Sequence, residues 1–409
     1  MKLLIHDYSG HPFQVQLSRE LARRGAQVRH VYSASFQTPK GNLVKQPDDP
    51  DSFDIVALSL SQPFDKNSFV KRRAQEIAIG KMLAAEIEAF HPDVVISSNA
   101  PLDCQRMAWA ACERLGIPKI FWIQDIYSEA ILRILATRFP GIGHLVGWYY
   151  QRVEYDLLRR SQHVVAIAQD FLPILVRHRV PRARITTIEN WAPLDELAPC
   201  PRDNAWASAH MPGGRPRIVY SGTLGLKHNP EHLKAIAAAL PHADVYVFSE
   251  GPGADLLRAA GLANLVVRPW VPYPHLAEML SGADLLLVLL EQDAGVFSVP
   301  SKVLTYACIA RPLVGSIPPG NLARNIIERN QMGLVSAPQS PEDLIANVQQ
   351  LLADADSRAE MARAARAYAE KTFDIKRIAA RFQAILAQVA APDEAAAPRH
   401  SANPRQIDD

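Results

Sequence analysis

Short apolar runs, many of them rich in β-branched residues, alternate with longer amphipathic stretches along almost the whole chain. The short runs have the length of buried strands, and the longer stretches repeat apolar residues with helical spacing. In the first half this pattern predicts strands at 2–6, 28–32, 55–60, 94–97, 120–123, 164–167 and 185–188, and helices at 13–24, 71–90, 103–115 and 143–160. Strands that alternate with helices in this way indicate parallel sheets and an α/β fold.

The pattern is interrupted between residues 192 and 216, where concentrated prolines and glycines predict a linker. Beyond it we predict strands at 218–220, 245–248, 265–267, 285–290, 313–314 and 334–335, and closing helices at about 341–352, 357–371 and 375–390. We therefore predict two doubly wound Rossmann-like domains, 1–191 and 217–373. Helix 374–391 is expected to cross back to the first domain. Residues 392–409 are expected to form a disordered tail, because they offer too little apolar surface to order themselves.

Composition narrows the class of protein. The 409 residues are 48% hydrophobic and 21% charged, and 44 Lys and Arg against 42 Asp and Glu give a net charge of +2. This balance argues against a nucleic-acid binder that neutralises phosphates. The four cysteines lack the spacing of zinc ligands or of a disulfide framework, and the chain shows neither a signal peptide nor an apolar run of about 18 residues. We therefore expect a cytoplasmic protein in a reducing compartment.

Open α/β sheets bind ligands beyond the carboxyl ends of their strands, and the strongest local signal lies at such a position. The segment 220–230, Tyr-Ser-Gly-Thr-Leu-Gly-Leu-Lys-His-Asn-Pro, runs from a strand through a glycine-containing loop into a helix. Backbone N–H groups of such a loop, with the helix N-terminus and nearby cations, are suited to a phosphate. The candidate residues are Ser221, Gly222, Thr223, Lys227 and His228. An ordinary strand-to-helix turn explains the segment equally well.

A second candidate segment is 297–308, Phe-Ser-Val-Pro-Ser-Lys-Val-Leu-Thr-Tyr-Ala-Cys, which follows a fully apolar strand. Pro300 suits the first turn of a helix that Ser298 could cap. The side chains expected to face a phosphate and ribose hydroxyls from this helix are Ser301, Lys302 and Thr305. A capped helix with one exposed lysine is the simpler alternative.

In this order and spacing, the segments resemble the retaining family 4 glycosyltransferases of the GT-B fold, particularly bacterial exopolysaccharide and O-antigen enzymes of the colanic-acid, WbuB-like type. The resemblance extends over almost the whole chain. Its further marks are Asn-Trp-Ala-Pro-Leu-Asp at 190–195, Trp-Ile-Gln-Asp-Ile-Tyr-Ser-Glu at 122–129, and Pro-Ser-Lys-Val-Leu at 300–304 followed by Arg-Pro at 311–312. It implies two Rossmann-like domains that face a central cleft, the first binding the acceptor and the second binding the nucleotide-sugar.

The chain departs from the family pattern at several positions. Many members have two glutamates in the second segment, one of which binds the donor ribose, whereas Phe297 and Thr305 stand at those positions here. The first loop has a single Gly10 where paired glycines are usual, and a histidine common after the fourth strand is replaced within 97–101. These differences leave the donor and the detailed mechanism open.

The resemblance also implies roles for individual residues. Asp125 is expected to be a catalytic carboxylate near the acceptor, or alternatively to cap the following helix. His11 is expected either to be catalytic or to be an ordinary turn residue. Glu129 is expected to bind the acceptor together with Asn99, or alternatively to be a solvated surface residue. Val271 lies in a segment whose main chain would contact the nucleotide base. The complete set of implied donor-binding residues is Gly10, Ser221, Gly222, Thr223, Lys227, His228, Glu250, Val271, Ser301, Lys302 and Thr305.

The implied activity is transfer of a sugar, with retention, from a nucleoside-diphosphate donor to a glycan or an undecaprenyl-diphosphate saccharide, with UDP favoured over GDP. No cofactor and no metal are expected, because the Asp-x-Asp pairs at 49–51 and 354–356 do not end buried strands. The aromatic and basic segment 145–152 would suit a peripheral contact with the inner face of the cell membrane. A helix packed between the domains is an open alternative for that segment.

Two other functions remain open. A UDP-sugar 2-epimerase shares the GT-B fold but needs carboxylates on both faces of the sugar and no acceptor, and the segments at 190–195 and 300–304 argue against it. A nucleotide-sugar-binding subunit without activity would fit the missing glutamates.

Overall fold

The computed structural model describes residues 1–36, 40–65, 68–98, 100–225, 228–292 and 301–390. Within these residues the chain forms two parallel sheets covered by helices. The predicted tail 392–409, the candidate residues Asn99 and Lys227, and the segment 293–300 with Ser298 and Pro300 lie outside the described residues.

The first sheet has seven described strands in the order β3-β2-β1-β4-β5-β6-β7. Its strands are β1 (Lys2–Asp7), β2 (Gln27–Ser33), β3 (Phe53–Leu58), β4 (Val94–Ser98), β5 (Lys119–Ile123), β6 (His163–Ala166) and β7 (Ile185–Thr187). The helices between them are α1 (Pro12–Arg23), α2 (Phe69–Phe90), α3 (Leu102–Leu115), α4 (Tyr127–Arg138), α5 (Ile142–Arg159) and α6 (Phe171–Arg177).

The second sheet has six described strands in the order β10-β9-β8-β11-β12-β13. Its strands are β8 (Arg217–Ser221), β9 (Asp244–Phe248), β10 (Leu265–Arg268), β11 (Leu285–Leu289), β12 (Leu313–Ser316) and β13 (Gly333–Ser336). The remaining helices are α7 (Ala205–His210), α8 (Pro230–Ala239), α9 (Pro252–Ala259), α10 (Leu276–Ser281), α11 (Ser301–Cys308), α12 (Leu322–Arg329), α13 (Pro341–Ala353), α14 (Ala355–Thr372) and α15 (Ile375–Ala390).

The predicted α/β fold with two doubly wound parallel sheets is confirmed. Two helices were not predicted, α6 and α7, and α4 was considered only as the helix that Asp125 could cap. The first turn of α4 has no local signal, because its N-cap is Ile126, which has no capping side chain. Its backbone N–H groups are instead bound by Glu154 of α5, which is distant in sequence. Helix α7 is a short helix within the proline-rich segment, and Asn204 caps it by accepting a hydrogen bond from the N–H of Ala207.

The segment that follows β7 packs on the first sheet together with the last helix. Trp191 is stacked on Trp122 of β5, with ring centres 5.8 Å apart, and its Nε1 donates to Gln16 Oε1 at 2.8 Å. Phe382 of α15 lies 4.9 Å from the ring of Trp122. The Asn-Trp segment at 190–191 is therefore part of the packing that holds the linker and α15 against this sheet.

In each sheet the strand order reverses beside the strand that comes first in sequence. Strand β1 lies between β2 and β4, and β8 lies between β9 and β11. Ligands of open parallel sheets bind at such switch points, beyond the carboxyl ends of the strands. The loops β1–α1 and β8–α8 are therefore the places where the topology favours a ligand.

Candidate functional site

The β1–α1 loop contains a histidine paired with a buried aspartate. Asp7 accepts hydrogen bonds from the backbone N–H of Ser9 at 3.1 Å, from the N–H of His11, and from His11 Nδ1 at 3.2 Å. Burial by itself would raise the pKa of Asp7, but the His11 imidazole and these hydrogen bonds hold it below its ordinary value. An ionised carboxylate only accepts hydrogen bonds, so Nδ1 is the ring nitrogen that donates to Asp7. Nε2 is the ring nitrogen that is not bound to Asp7.

The backbone of this loop is fixed by its own sequence and by a lysine from the next loop. Gly10 has φ +76°, a left-handed conformation that glycine adopts without strain. Lys40 donates from Nζ to the carbonyl oxygens of Ser9, Ser33 and Phe36 at 3.3, 3.0 and 2.8 Å. Burial lowers the pKa of Lys40. These contacts hold the predicted residues Gly10 and His11 in place at the first switch point.

A cavity of about 470 Å³ opens beside His11. Its walls are mainly aromatic and aliphatic, and they include Tyr8, Phe36, Leu102, Tyr127, Ile131 and Leu135. Its polar groups are Ser9, His11, Arg72, Arg73 and Glu76. Arg72 donates to Glu76 at 2.7 Å, and burial raises the pKa of Glu76. An apolar-walled cavity with a few converging polar groups is typical of a small-molecule site.

The predicted residues Asp125 and Glu129 lie near this cavity but are not among the described residues that line it. Asp125 is half-buried in the loop after β5. Glu129 accepts a hydrogen bond from Gln151 Nε2 at 3.1 Å and lies 3.5 Å from the hydroxyl of Tyr155, which donates to it. Glu129 therefore joins α4 to α5.

The first turn of α4 is bound by Glu154 of α5. This buried carboxylate accepts hydrogen bonds from the backbone N–H groups of Tyr127 and Ser128, both at 3.0 Å. It therefore fixes the first turn of α4, directly after Asp125 and beside Tyr127 of the cavity wall. Burial raises the pKa of Glu154 from 4.5 to about 7, against the opposing effect of those hydrogen bonds.

This raised pKa predicts a dependence of stability on pH. Between about pH 4.5 and about pH 7 the carboxyl of Glu154 ionises in the unfolded chain but stays protonated in the folded protein. The contribution of Glu154 to the free energy of unfolding is therefore expected to fall as pH rises through this window, by up to about 1.4 kcal/mol per pH unit. The buried His6 and His30, whose pKa burial lowers to about 4, contribute in the opposite direction. In urea unfolding at several pH values, the difference in stability between the native protein and Glu154→Gln should therefore change by this amount across the window. The control is Glu360→Gln, an exposed position on α14, and a pH-independent difference between native protein and Glu154→Gln would contradict the assignment.

At the second switch point, Lys302 of α11 extends over the loop that follows β8. Its Nζ donates to the hydroxyl of Tyr220 at 2.6 Å and lies 4.1 Å from the centre of that ring. The Tyr220 hydroxyl in turn donates to the carbonyl of Thr223 at 2.9 Å. Burial lowers the pKa of Lys302 to about 7. Its amine therefore lies above the loop and is partly neutral near pH 7. A bound anion would favour the charged form of the amine.

The loop beneath Lys302 has little room for a side chain. A Cβ atom at Gly222 would lie 2.4 Å from Lys302 Cε, and Gly222 has φ +129°. Ser221 is held by Tyr306 of α11, whose hydroxyl accepts a hydrogen bond from the N–H of Ser221 at 3.1 Å. The structure therefore brings together Ser221, Gly222, Thr223 and Lys302, which the sequence placed in two separate segments.

The other predicted donor residues have more varied positions. His228 accepts a hydrogen bond from the N–H of Gly225 on Nδ1 at 3.3 Å, so it shapes the loop. Ser301 is exposed and Thr305 is half-buried one turn further along α11. Glu250 is exposed directly after β9, and Val271 is half-buried after β10 and packs on the core.

One aspartate of each Asp-x-Asp pair has a structural partner. Asp49 accepts two hydrogen bonds from Arg19 Nε, at 2.8 and 3.1 Å, and both side chains are buried. Asp354 caps α14 by accepting a hydrogen bond from the N–H of Ser357 at 3.0 Å. Among the described residues, no group of three or more His, Cys, Asp or Glu side chains is arranged to hold a metal ion.

Two family profiles match successive parts of the chain. The profile described as "Glycosyltransferase Family 4" matches residues 13–196, and the one described as "Glycosyl transferases group 1" matches residues 215–354. Each match covers most of one sheet with its helices. The protein is therefore a glycosyltransferase, and the part of the chain that forms the first sheet matches family 4, as the resemblance of its motifs indicated. No curated protein matches the chain by sequence.

Solved structures share the fold over their whole length. Sucrose-phosphate synthase from Thermosynechococcus elongatus matches with a TM-score of 0.70 and 15% identity, covering 95% of this chain and 98% of that one. Anabaena HepE in complex with UDP and glucose matches with a TM-score of 0.67 and 15% identity, covering 95% and 99%. The apo form of the lipopolysaccharide outer core galactosyltransferase WaaB matches with a TM-score of 0.53 and 13% identity, covering 95% and 99%. These likenesses confirm the GT-B fold. No helix within the described ranges is long and apolar enough to cross a bilayer.

Several residues of the site were not predicted from the sequence: Asp7, Lys40, Glu154, Tyr220 and Tyr306. Asp7 had a usable signal, because it directly follows the predicted strand 2–6 and lies four residues before His11. The other four act through partners that are distant in sequence or through their place in the fold. No local pattern marks them.

Proposed function

We propose that this glycosyltransferase transfers a sugar from a UDP-sugar to a lipid-linked saccharide, with retention and without a metal ion. The observation that carries the proposal is the amine of Lys302 above Gly222 at the switch point of the second sheet. Its counterpart at the first switch point is His11, oriented by Asp7 beside the 470 Å³ cavity. The structures of HepE with UDP and with UDP-glucose support a uridine donor for this fold.

The chemistry follows from the charges of the reaction. Cleavage of the bond between sugar and diphosphate puts negative charge on the leaving phosphate and positive character on the sugar. Lys302, the backbone N–H groups of the Thr223 loop and the N-terminus of α8 would stabilise the phosphate. The acceptor hydroxyl would approach from the cavity, where His11 Nε2 can accept its hydrogen bond. For retention, attack takes place on the face that the leaving group vacates.

The cavity supports an acceptor with apolar parts. Its walls are largely aromatic and aliphatic, and its rim includes Phe69 and Ile134, which are 52% and 62% exposed. A purely polar glycan would leave these side chains in poor contact. We therefore propose a saccharide on a lipid carrier, such as undecaprenyl diphosphate in cell-surface polysaccharide synthesis, as the acceptor.

The test is release of nucleoside diphosphate from UDP-, GDP- and ADP-sugars, with and without a membrane lipid extract and with and without EDTA. Release from the UDP-sugar that depends on the extract and survives EDTA supports the proposal, and NMR of the product reports whether the anomeric configuration is retained. Interconversion of the donor without release would identify an epimerase instead. Binding of donor without any turnover would identify a non-catalytic subunit.

The geometry at Gly222 gives a separate prediction. Gly222→Ala is expected to displace Lys302 and to strain a left-handed backbone at a cost of about 1–3 kcal/mol, because the added Cβ would lie 2.4 Å from Lys302 Cε. Because the displaced amine would no longer lie above the loop, affinity for UDP-glucose, measured by titration calorimetry, should fall at least about tenfold, which corresponds to roughly 1.4 kcal/mol of binding free energy.

The matched control is Gly225→Ala in the same loop. Its Cβ would meet no described atom closer than Thr223 Cγ2 at 3.9 Å, so donor affinity should change little. Equal losses of donor affinity in the two variants would contradict the prediction, because the loss would then come from any side chain added to the loop and not from the displacement of Lys302.

A further inference from the structure

Large apolar side chains are exposed on one side of the first domain, around the helical hairpin formed by α4 and α5. Of the thirteen large apolar side chains that are exposed in the described part of the chain, eight lie on α4, α5, the turn between them or the start of α2. Ile142, Leu145 and Trp148 of α5 are 71%, 69% and 58% exposed, and they recur every three residues along one face. A concentrated apolar patch of this kind marks an interaction surface.

The opposite face of α5 is already in use within the chain. A Cβ at Gly143 would lie 2.0 Å from the carbonyl oxygen of Leu135, and one at Gly147 would lie 2.4 Å from Leu132 Cδ1. The two helices therefore pack at close range through these glycines. Because α5 is held in this orientation, its apolar stripe is left facing solvent.

A strongly basic groove of about 820 Å³ lies beside this stripe and shares Trp148 with it, and Tyr149 also lines the groove. Asp156 is the one carboxylate among its described lining residues, and it pairs with Arg159 and Arg160 at 3.7 and 3.3 Å. The six arginines that line the groove are Arg106, Arg152, Arg159, Arg160, Arg177 and Arg179. Aromatic and aliphatic side chains next to an excess of arginine are complementary to the headgroups of an anionic bilayer.

The patch also connects with the cavity beside His11. A shallow apolar groove of about 350 Å³ contains Phe69, Leu145 and Tyr149. It shares Phe69, together with Arg73 and Tyr150, with the 470 Å³ cavity. An apolar chain leaving the bilayer at Leu145 would therefore have a continuous path to the site of His11.

We propose that this surface docks the protein on an anionic lipid bilayer. We call it the hairpin face, and it consists of Phe69, Ile142, Leu145, Trp148 and the basic groove. Ile142, Leu145 and Trp148 enter the interface, and the arginines of the groove bind lipid phosphates. Docking in this orientation presents the cavity to a lipid-linked acceptor; this last step alone rests on the proposed function.

The direct test is sedimentation of the full chain with vesicles of phosphatidylcholine, with and without phosphatidylglycerol. Binding should require phosphatidylglycerol and weaken as salt is added, because the arginine contribution is electrostatic. The double variant Ile142→Glu/Leu145→Glu should bind these vesicles at least about tenfold more weakly, as should Arg152→Gln/Arg177→Gln. Both pairs replace solvent-facing groups, and circular dichroism checks that each variant folds.

Matched controls are available elsewhere on the surface. Val44→Glu changes a valine that is 70% exposed, and Arg329→Gln changes an exposed arginine at the end of α12. Neither should affect vesicle binding. The proposal is overturned if anionic vesicles do not bind the native protein, or if the controls lose as much binding as the hairpin variants. It is also overturned if the hairpin variants change only the oligomeric state in ultracentrifugation, because the patch would then contact a second copy of the chain.

Failure of the proposed function would look different. If the native protein binds anionic vesicles but releases no nucleoside diphosphate with any donor, the docking surface stands and the proposed reaction fails. If the hairpin variants keep their affinity for UDP-glucose but lose turnover only with the lipid-linked acceptor on vesicles, both proposals are supported.

Discussion

Lys302→Ala is expected to lower kcat/KM for the UDP-sugar by about 100- to 1000-fold, the usual loss when a preorganised group that stabilises developing charge is removed. The reason is positional: the amine lies above Gly222, where the leaving diphosphate would bind, and Tyr220 holds it there at 2.6 Å. Steady-state kinetics with saturating acceptor measure the effect. Lys234→Ala, which removes an exposed lysine of α8 paired with Glu231, should leave the rate unchanged.

The pKa of Lys302 gives this prediction a second readout. With a pKa of about 7 in the free protein, the amine is charged below pH 7 and increasingly neutral above it. Affinity for UDP-glucose, whose phosphates do not titrate in this range, should therefore fall as pH rises above about 7. Lys302→Ala should show no such dependence. An equal pH dependence in the native protein and the variant would mean that another group is responsible.

His11→Ala is expected to lower kcat by about 100-fold or more, within the usual range for a positioned acid–base or hydrogen-bonding group. Donor affinity should change much less, since His11 lines the cavity of the first domain and the donor is proposed to bind at the second. Kinetics and calorimetry with UDP-glucose separate the two effects. The control is His242→Ala, which removes an exposed histidine of the second domain.

Asp7 should act only through His11. Asp7→Asn, which loses the negative charge that fixes the ring proton on Nδ1, is expected to lower kcat as well. In the double variant His11→Ala/Asp7→Asn the losses should not add, as is usual for groups that act as a unit. Losses that add fully would show that Asp7 and His11 contribute independently. Urea unfolding of each variant corrects for any loss of stability, because Asp7 is fully buried.

The strands were predictable because their signal is local. A run such as Leu285–Leu289 is apolar at every position, as expected for a strand covered by helices on both faces, and all five residues are buried. The same locality explains why the partner of the first turn of α4 was not predicted. That partner is Glu154, which is placed there by the packing of α5 against α4 through Gly143 and Gly147.

The sequence by itself determined the α/β class, the two series of strands and the loops that follow β1 and β8. These features depend on the spacing of apolar residues, on glycines in loops and on proline at the start of a helix, all of which are properties of neighbouring residues. The sequence also placed Gly10, His11 and Lys302 at strand and helix ends where a ligand site was expected. Only the tertiary structure decided that Asp7 orients His11, that Lys302 lies over Tyr220 and Gly222, and that the apolar stripe of α5 faces solvent. These features depend on contacts between segments far apart in the chain, and packing, not local pattern, selects them.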